Sequence, residues 1–454
     1  MEAGFSSLVV MIISIIVLVY TIMKLKIHPF YALVGVGILS AIGFGFPLLE
    51  VMPLIMNGFG STIGSIGIVI ILGCAIGIIL EDTGGALVLA NTILKWVGKK
   101  NSKLAMALTG YLVSIPVFSD SAIIIMSPVA RALSARGGIP LIGLLGALNG
   151  GILATHTMVP PTPGPIAAAG TLGADLGLMI GLGLISSIAY TLAASLWCNS
   201  KRMLNKYPEL AVMENVETAL GEDFTLEMPD GRQLPSSFLA FGAILAPVLL
   251  ICINSFGSLL LAEDSAILPI LGFVGHPIFA LTVGVVIALF LDKERFSLDQ
   301  LNVWFSKSVE DSGFIMIATG AAGAFGGVLK ASGVGTYLGN MIAATPLPSV
   351  FVPFLVSVLL SVANGSATVS LITGSAIILP LLPSLGLHPV IAALAIAAGS
   401  SFFYHANASH FWVVLKANGN LPMNEGYDLV SIPSALGACA AMVVVFILSL
   451  FIHP

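Results

Sequence analysis

The chain has 454 residues, 57% of them hydrophobic and only 9% charged, with a formal net charge of −5 and a mean hydropathy of +1.06. Soluble domains carry about 25% charged residues, so the composition excludes a soluble globular protein, and long apolar runs without strand-like alternation exclude a β-barrel. Lipid then leaves an all-α polytopic membrane protein, because only helices or closed barrels satisfy their backbone inside a bilayer.

The four cysteines, Cys74, Cys198, Cys252 and Cys439, are scattered through apolar segments without metal spacing. No cofactor or metal is expected, and nothing in the charge balance points to nucleic acid. Residues 1–29 hold a first transmembrane helix: apolar Ser7–Met23 is followed at once by Lys24 and Lys26, the pattern of a retained span rather than a cleaved leader.

A second span covers about 30–49. An amphipathic stretch, about 50–63, leads into a third span, about 64–80. The lysines of 86–103 mark a membrane surface. Residues 104–133 then form two apolar arms around Pro116-Val117-Phe118-Ser119-Asp120-Ser121. Each arm is about twelve residues, or roughly 18 Å of helix, too short for a hydrocarbon core of about 30 Å. Both ends are basic, so a re-entrant hairpin is expected. Residues 140–172 read as a helix broken near Thr155-His156-Thr157 and Pro160-Pro161-Thr162-Pro163-Gly164-Pro165, since prolines remove donors and restrain the preceding residue. Irregular backbone at membrane depth is tolerated only where protein buries it or water lines it, which makes this stretch a binding-site candidate. A full span follows at 175–198, with Asp175 as its cap. Residues 199–236 form a polar, cytoplasmic linker.

The second half, 237–454, repeats the first. A shift of 249 residues pairs Gly77 with Gly326, Asn91 with Asn340, Pro140 with Pro389, Gly150 with Gly399 and His156 with His405. With a small length change, Ser121-Ala122 pairs with Ser366-Ala367. The repeat predicts a second hairpin at 349–383, with Asn364-Gly365-Ser366-Ala367-Thr368 at its tip. It also predicts a second broken helix at 388–418, with His405, Asn407, Ser409 and His410 at its break, and a final span at 430–452. Glu310-Asp311 read as first-turn acids of a span entering from the inner side. With the N-terminus outside and each hairpin returning to its own side, every Lys and Arg except Lys330 falls inside, as the positive-inside rule requires. Both termini are then periplasmic, and the halves are inverted copies, an architecture of secondary transporters.

Two hairpin tips and two helix breaks are expected to meet near the midplane. The candidate substrate-binding residues are Ser119, Asp120, Ser121, Thr155, His156, Thr157, Thr162, Asn364, Gly365, Ser366, Thr368, His405, Asn407 and His410, with Ser409 beside them. No Lys or Arg lies deep in a span. Helices that resume after a break offer free N–H groups and a partial positive charge to a carboxylate. Hydroxyls and amides suit a hydroxylated solute, so a small organic anion is the expected partner. Asp120 is the mid-depth acid and the candidate proton-coupling residue, since an unpaired carboxylate is expensive in a membrane; the alternative role is a cap of the second hairpin arm. Exposed carbonyls and hydroxyls at the hairpin tips leave Na⁺ coupling open. No catalytic motif suggests an enzyme.

At these residues the chain resembles the gluconate:proton symporter family of GntP type. Thr155-His156-Thr157-Met158-Val159-Pro160-Pro161-Thr162-Pro163-Gly164-Pro165 is similar to its TH…PPHPGP segment, and Gly365-Ser366-Ala367-Thr368-Val369 to its GSATV segment. His405-Ala406-Asn407 with Phe411-Trp412 resembles its HxND..FW, and Phe118-Ser119-Asp120 its aromatic-x-acid in the first hairpin. The resemblance implies a multi-pass bacterial inner-membrane symporter of gluconate-like sugar acids. It further implies a homodimer of the ion-transporter superfamily that moves a transport domain against a scaffold. Thr162 stands where the family often has His, Ala408 where it has Asp, and His410 where it has Gly. These departures keep shorter hydroxy acids, such as glycerate or hydroxybutyrate, and hydroxy amino acids such as serine open as substrates.

Overall fold

The computed structural model describes residues 5–98, 101–137, 139–206, 231–261, 265–292, 296–334, 348–404, 408–417 and 421–453. Its regular elements are all helical. They run as α1 (Phe5–Met23), α2 (Pro29–Gly43), α3 (Leu48–Asp82), α4 (Gly85–Val97), α5 (Ser102–Val113), α6 (Ser119–Gly137), α7 (Leu141–Met158), α8 (Pro163–Leu172), α9 (Leu176–Cys198) and α10 (Lys201–Lys206). The second half holds α11 (Ser237–Leu260), α12 (Leu268–Val274), α13 (Pro277–Leu289), α14 (Leu298–Ala331), α15 (Phe351–Asn364), α16 (Ala367–Ile378), α17 (Leu382–Leu385), α18 (Pro389–Ser400), α19 (Ser409–Ala417), α20 (Met423–Gly426), a π turn (Tyr427–Ser431) and α21 (Ile432–Ser449). Among the described residues seven helices are long and apolar enough to cross a membrane, or eight if α12 and α13, bent by 51°, form one span. His405, Asn407 and Asn340 lie outside the described residues, as does most of the linker.

The stretches 50–63 and 64–80, expected as separate pieces, are one helix of 35 residues. Its polar, small residues do not mark a surface segment; they mark a close helix contact. A Cβ on Gly58 would lie 2.6 Å from the Gly323 carbonyl oxygen of α14, and one on Gly323 2.0 Å from the Thr62 hydroxyl. Small residues let backbones approach where lipid gives no hydrophobic drive between helices. The second correction is on α14. Asp311 does not open a helix; it lies inside a continuous 34-residue one that starts at Leu298 with Ser297 as its cap.

Two glycines of α3 position the irregular segments. A Cβ on Gly77 would lie 2.2 Å from the Pro116 carbonyl oxygen, and one on Gly73 2.7 Å from that of Pro161. The turn after α5 and the turn after α7 therefore rest directly on α3. Packing of α5 on α7 uses the same device: Gly110 faces the Leu148 carbonyl and Gly151 that of Ala107, each at under 2.4 Å from a built Cβ. In the second half α15 packs on α18 as α5 packs on α7, and Gly399 faces the Phe354 carbonyl.

The helix ends follow local chemistry. Pro163 and Pro165 occupy the first turn of α8, where a missing N–H costs nothing. Gly365, at φ +69°, closes α15 in the left-handed conformation, and Ser366 caps α16 by accepting the Val369 N–H at 3.4 Å. Asp175 caps α9 through the Leu178 N–H at 2.7 Å.

Candidate functional site

A cavity of about 410 Å³ opens where these ends converge. Phe118, Ser119, Asp120 and Ser121 line it from the turn between α5 and α6 and the start of α6. His156 lines it from α7, and Asp311 from α14. Gly365, Ser366, Ala367 and Thr368 come from the turn between α15 and α16, and Tyr404, Ser409 and His410 from the end of the chain around α19. The first residues of three helices, Ser119 of α6, Ala367 of α16 and Ser409 of α19, all face it. Each helix start presents N–H groups without intrahelical acceptors and the positive end of its dipole. No Lys or Arg is among the described lining residues. The partial positive charge at this cavity therefore comes from backbone dipoles rather than from a described Lys or Arg, and it faces Asp120 and Asp311.

One side-chain network crosses this space. Ser409 Oγ donates to Asp120 Oδ2 at 3.0 Å, and His410 Nδ1 meets Asp120 Oδ1 at 3.0 Å. His410 Nε2 lies 2.7 Å from Asn149 Oδ1. The carboxylate side chain is 39% exposed and faces the cavity, whereas the imidazole is 3% exposed. The Tyr404 ring meets His410 edge-on, with centroids 5.6 Å apart. Ser431 Oγ donates to the Tyr404 carbonyl and Tyr190 OH to that of Ser401 at 3.4 Å, which fixes the segment after α18 against α9 and α21. His156 is buried, its ring near Phe118 at 6.3 Å, and its Nδ1 has no hydrogen-bond partner among the described residues.

The expected residues thus divide. Ser119, Asp120, Ser121, His156, Gly365, Ser366, Thr368, Ser409 and His410 line one cavity. Thr155, Thr157 and Thr162 do not. Their hydroxyls bond the carbonyls of Gly151 (3.2 Å), Leu153 (2.8 Å) and Val159 (2.7 Å), and all three residues are buried. Thr155, His156 and Thr157 also belong to the last turn of α7 rather than to the break, which spans 159–162. Asn364 ends α15, and only its backbone is described. Sequence reasoning missed Asn149, Asp311 and Tyr404. Asn149 was findable: it precedes His156 by two helical turns, so both sit on one face of α7. Asp311 was harder to find, because the polar residues before it, Lys307, Ser308 and Glu310, look like a helix start. For Tyr404 the sequence carries no signal beyond its neighbour His405.

A chain of this kind, with many apolar spans around a polar cavity built from interrupted helices, is a multi-span membrane transporter. Its fold is that of the YdaH transporter of Alcanivorax borkumensis, matched at a TM-score of 0.68 over 93% of this chain and 98% of that one, at 16% identity. The family follows from sequence: residues 6–451 match the model of the GntP family permeases, and the chain belongs to that family. It is 35% identical to an uncharacterized permease of Haemophilus influenzae over 94% of this chain and 88% of that protein. It is 30% identical to a gluconate permease of Pseudomonas aeruginosa, covering 97% and 96%.

Proposed function

We propose that this permease is a proton-coupled symporter for a small hydroxy-carboxylate of the gluconate type. The observation that carries the reading is the convergence of three helix starts and the Asp120–His410 pair on one cavity without a lysine or arginine. The helix starts and His156 would take the carboxylate. Ser119, Ser121, Ser366 and Thr368 would meet the hydroxyls, and Asp120 would take the proton. The physical logic is charge. A solute carboxylate about 6 Å from an ionised Asp120 is repelled by about 3 kcal/mol at an effective dielectric of about 20. Protonation there removes a penalty worth about a hundredfold in affinity.

In this reading α5–α6 and α15–α16 are re-entrant hairpins of two inverted repeats, and α7–α8 and α18–α19 are the broken helices. That α15 packs on α18 as α5 packs on α7 supports it. The hairpin domain would move across the bacterial inner membrane within a homodimer, with both chain ends periplasmic. The test is uptake of radiolabelled gluconate by proteoliposomes under separate proton and sodium gradients. Proton-driven accumulation that is lost in Asp120→Asn supports the reading. Accumulation driven by sodium alone, or an Asp120→Asn variant that accumulates like wild type, overturns it. A thermal-shift screen of sugar acids, glycerate, hydroxybutyrate and serine on the purified protein identifies the preferred solute.

A further inference from the structure

His410 is held through both ring nitrogens, which leaves neither free for a solute. Nδ1 sits 3.0 Å from Asp120 Oδ1 and Nε2 2.7 Å from Asn149 Oδ1. Both facing atoms are oxygens, so both ring nitrogens donate, and an imidazole that donates twice is cationic. Rotating the Asn149 amide would present its NH₂ to Nε2 instead. The imidazole would then be neutral, with its remaining N–H still on Asp120. One heavy-atom arrangement thus accommodates the pair with its proton, at net charge zero, and without it, at net charge −1. The carboxylate is open to the cavity and the imidazole is not. A proton therefore enters through Asp120 and rests in a buried site.

We propose that Asp120 and His410 share a single coupling proton, and that His410, oriented by Asn149, is a positioning residue for that proton and not a ligand of the solute. The inference rests on the proton-coupled reading above and names the second member of its proton site. The two residues come from opposite halves of the chain, Asp120 from α6 and His410 from α19, so the proton also bridges the cavity. Other ionisable groups face the pair. His156 stands on α7, Tyr404 packs against the imidazole, and Asp311 lines the cavity from α14. On the elements packed against α19, Arg131 lies eleven residues further along α6, roughly 16 Å away. Glu425 lies on α20, and Asp428, in the π turn, is paired with Lys206. A solute anion enters beside a neutral pair when the pair holds its proton and beside a singly negative one when it does not. Loading therefore follows protonation, one proton for each monoanion.

The experiment compares two modes of radiolabelled gluconate transport in proteoliposomes. Accumulation under a proton gradient requires the proton to be released; exchange of internal for external gluconate does not. His410→Asn is expected to lower accumulation by about tenfold or more while exchange falls by less than about threefold, because an Asn amide reaches the Nδ1 position and can still donate to Asp120 but cannot carry the proton. Equal loss of both modes makes His410 a solute ligand or a structural residue and overturns the inference. Retention of both also overturns it. Asn149→Ser keeps the imidazole and serves as the second variant. A shift of about half a pH unit or more in the midpoint of uptake is expected, since the amide partner of the buried imidazole is lost; an unshifted midpoint counts against the proposal. Wild-type protein that ignores the proton gradient would instead fail the proton-coupled reading itself, whatever the variants do.

Discussion

The turn between α5 and α6 and the turn between α15 and α16 line one cavity and divide the chemistry. The turn after α5 delivers a carboxylate, Asp120, into the first turn of α6. The turn after α15 delivers Gly365 and Ser366, a left-handed glycine and a hydroxyl cap, and no charge. The helix breaks divide in the opposite sense. The break at 159–162 is sealed, its threonine hydroxyls spent on neighbouring carbonyls. The segment after α18 leads instead to Ser409 and His410, which reach across to Asp120. Charge is thus held by the first hairpin and the second broken helix, hydroxyls by the second hairpin, and plain support by the first break. The two halves of the chain bring different side chains to one cavity.

That division can be broken at several points. The largest effect is expected at the charged tip: Asp120→Asn should abolish proton-driven gluconate accumulation, measured in proteoliposomes, because an amide cannot carry the coupling proton. A backbone contact comes next. Gly77→Val would drive a side chain into the Pro116 carbonyl, and overpacking of this kind costs about 1–3 kcal/mol or more. The melting temperature in detergent should fall, and it should fall further than for Gly60→Val, where a Cβ meets nothing within 4 Å. At the neutral tip, Ser366→Ala removes a hydroxyl that lines the cavity, and the loss of one hydrogen bond to the solute should cost about 1 kcal/mol, about fivefold in gluconate affinity. The smallest effect is expected beside the sealed break, in the last turn of α7. Thr155→Val removes only a hydroxyl bonded to its own helix, and affinity should stay within about twofold. A Thr155→Val loss as large as that of Ser366→Ala would erase the distinction between the two regions.

Much of this was legible in the chain. Glycine, proline and polar spacing located the turn at 114–118 and the break at 159–162, because prolines act through the backbone and leave a mark in any sequence. Which side chains face the cavity was harder to read. Thr155 and Thr157 flank His156 in sequence, yet they turn away from the cavity because consecutive residues of a helix point about 100° apart. Asp311 stood in a stretch whose polarity suggested a helix start, and only the continuous α14 showed it to be inside one.

By itself the sequence determined the all-helical membrane class, the family, and the positions of the glycines and prolines that break the helices. Those follow from transfer free energy and backbone sterics, which are local properties. The tertiary structure alone decided that Asp120 meets His410, 290 residues away, and that Asn149 holds the far side of that imidazole. Hydrogen bonds between distant segments depend on how α6, α7 and α19 pack, and no spacing along the chain encodes a distance across it.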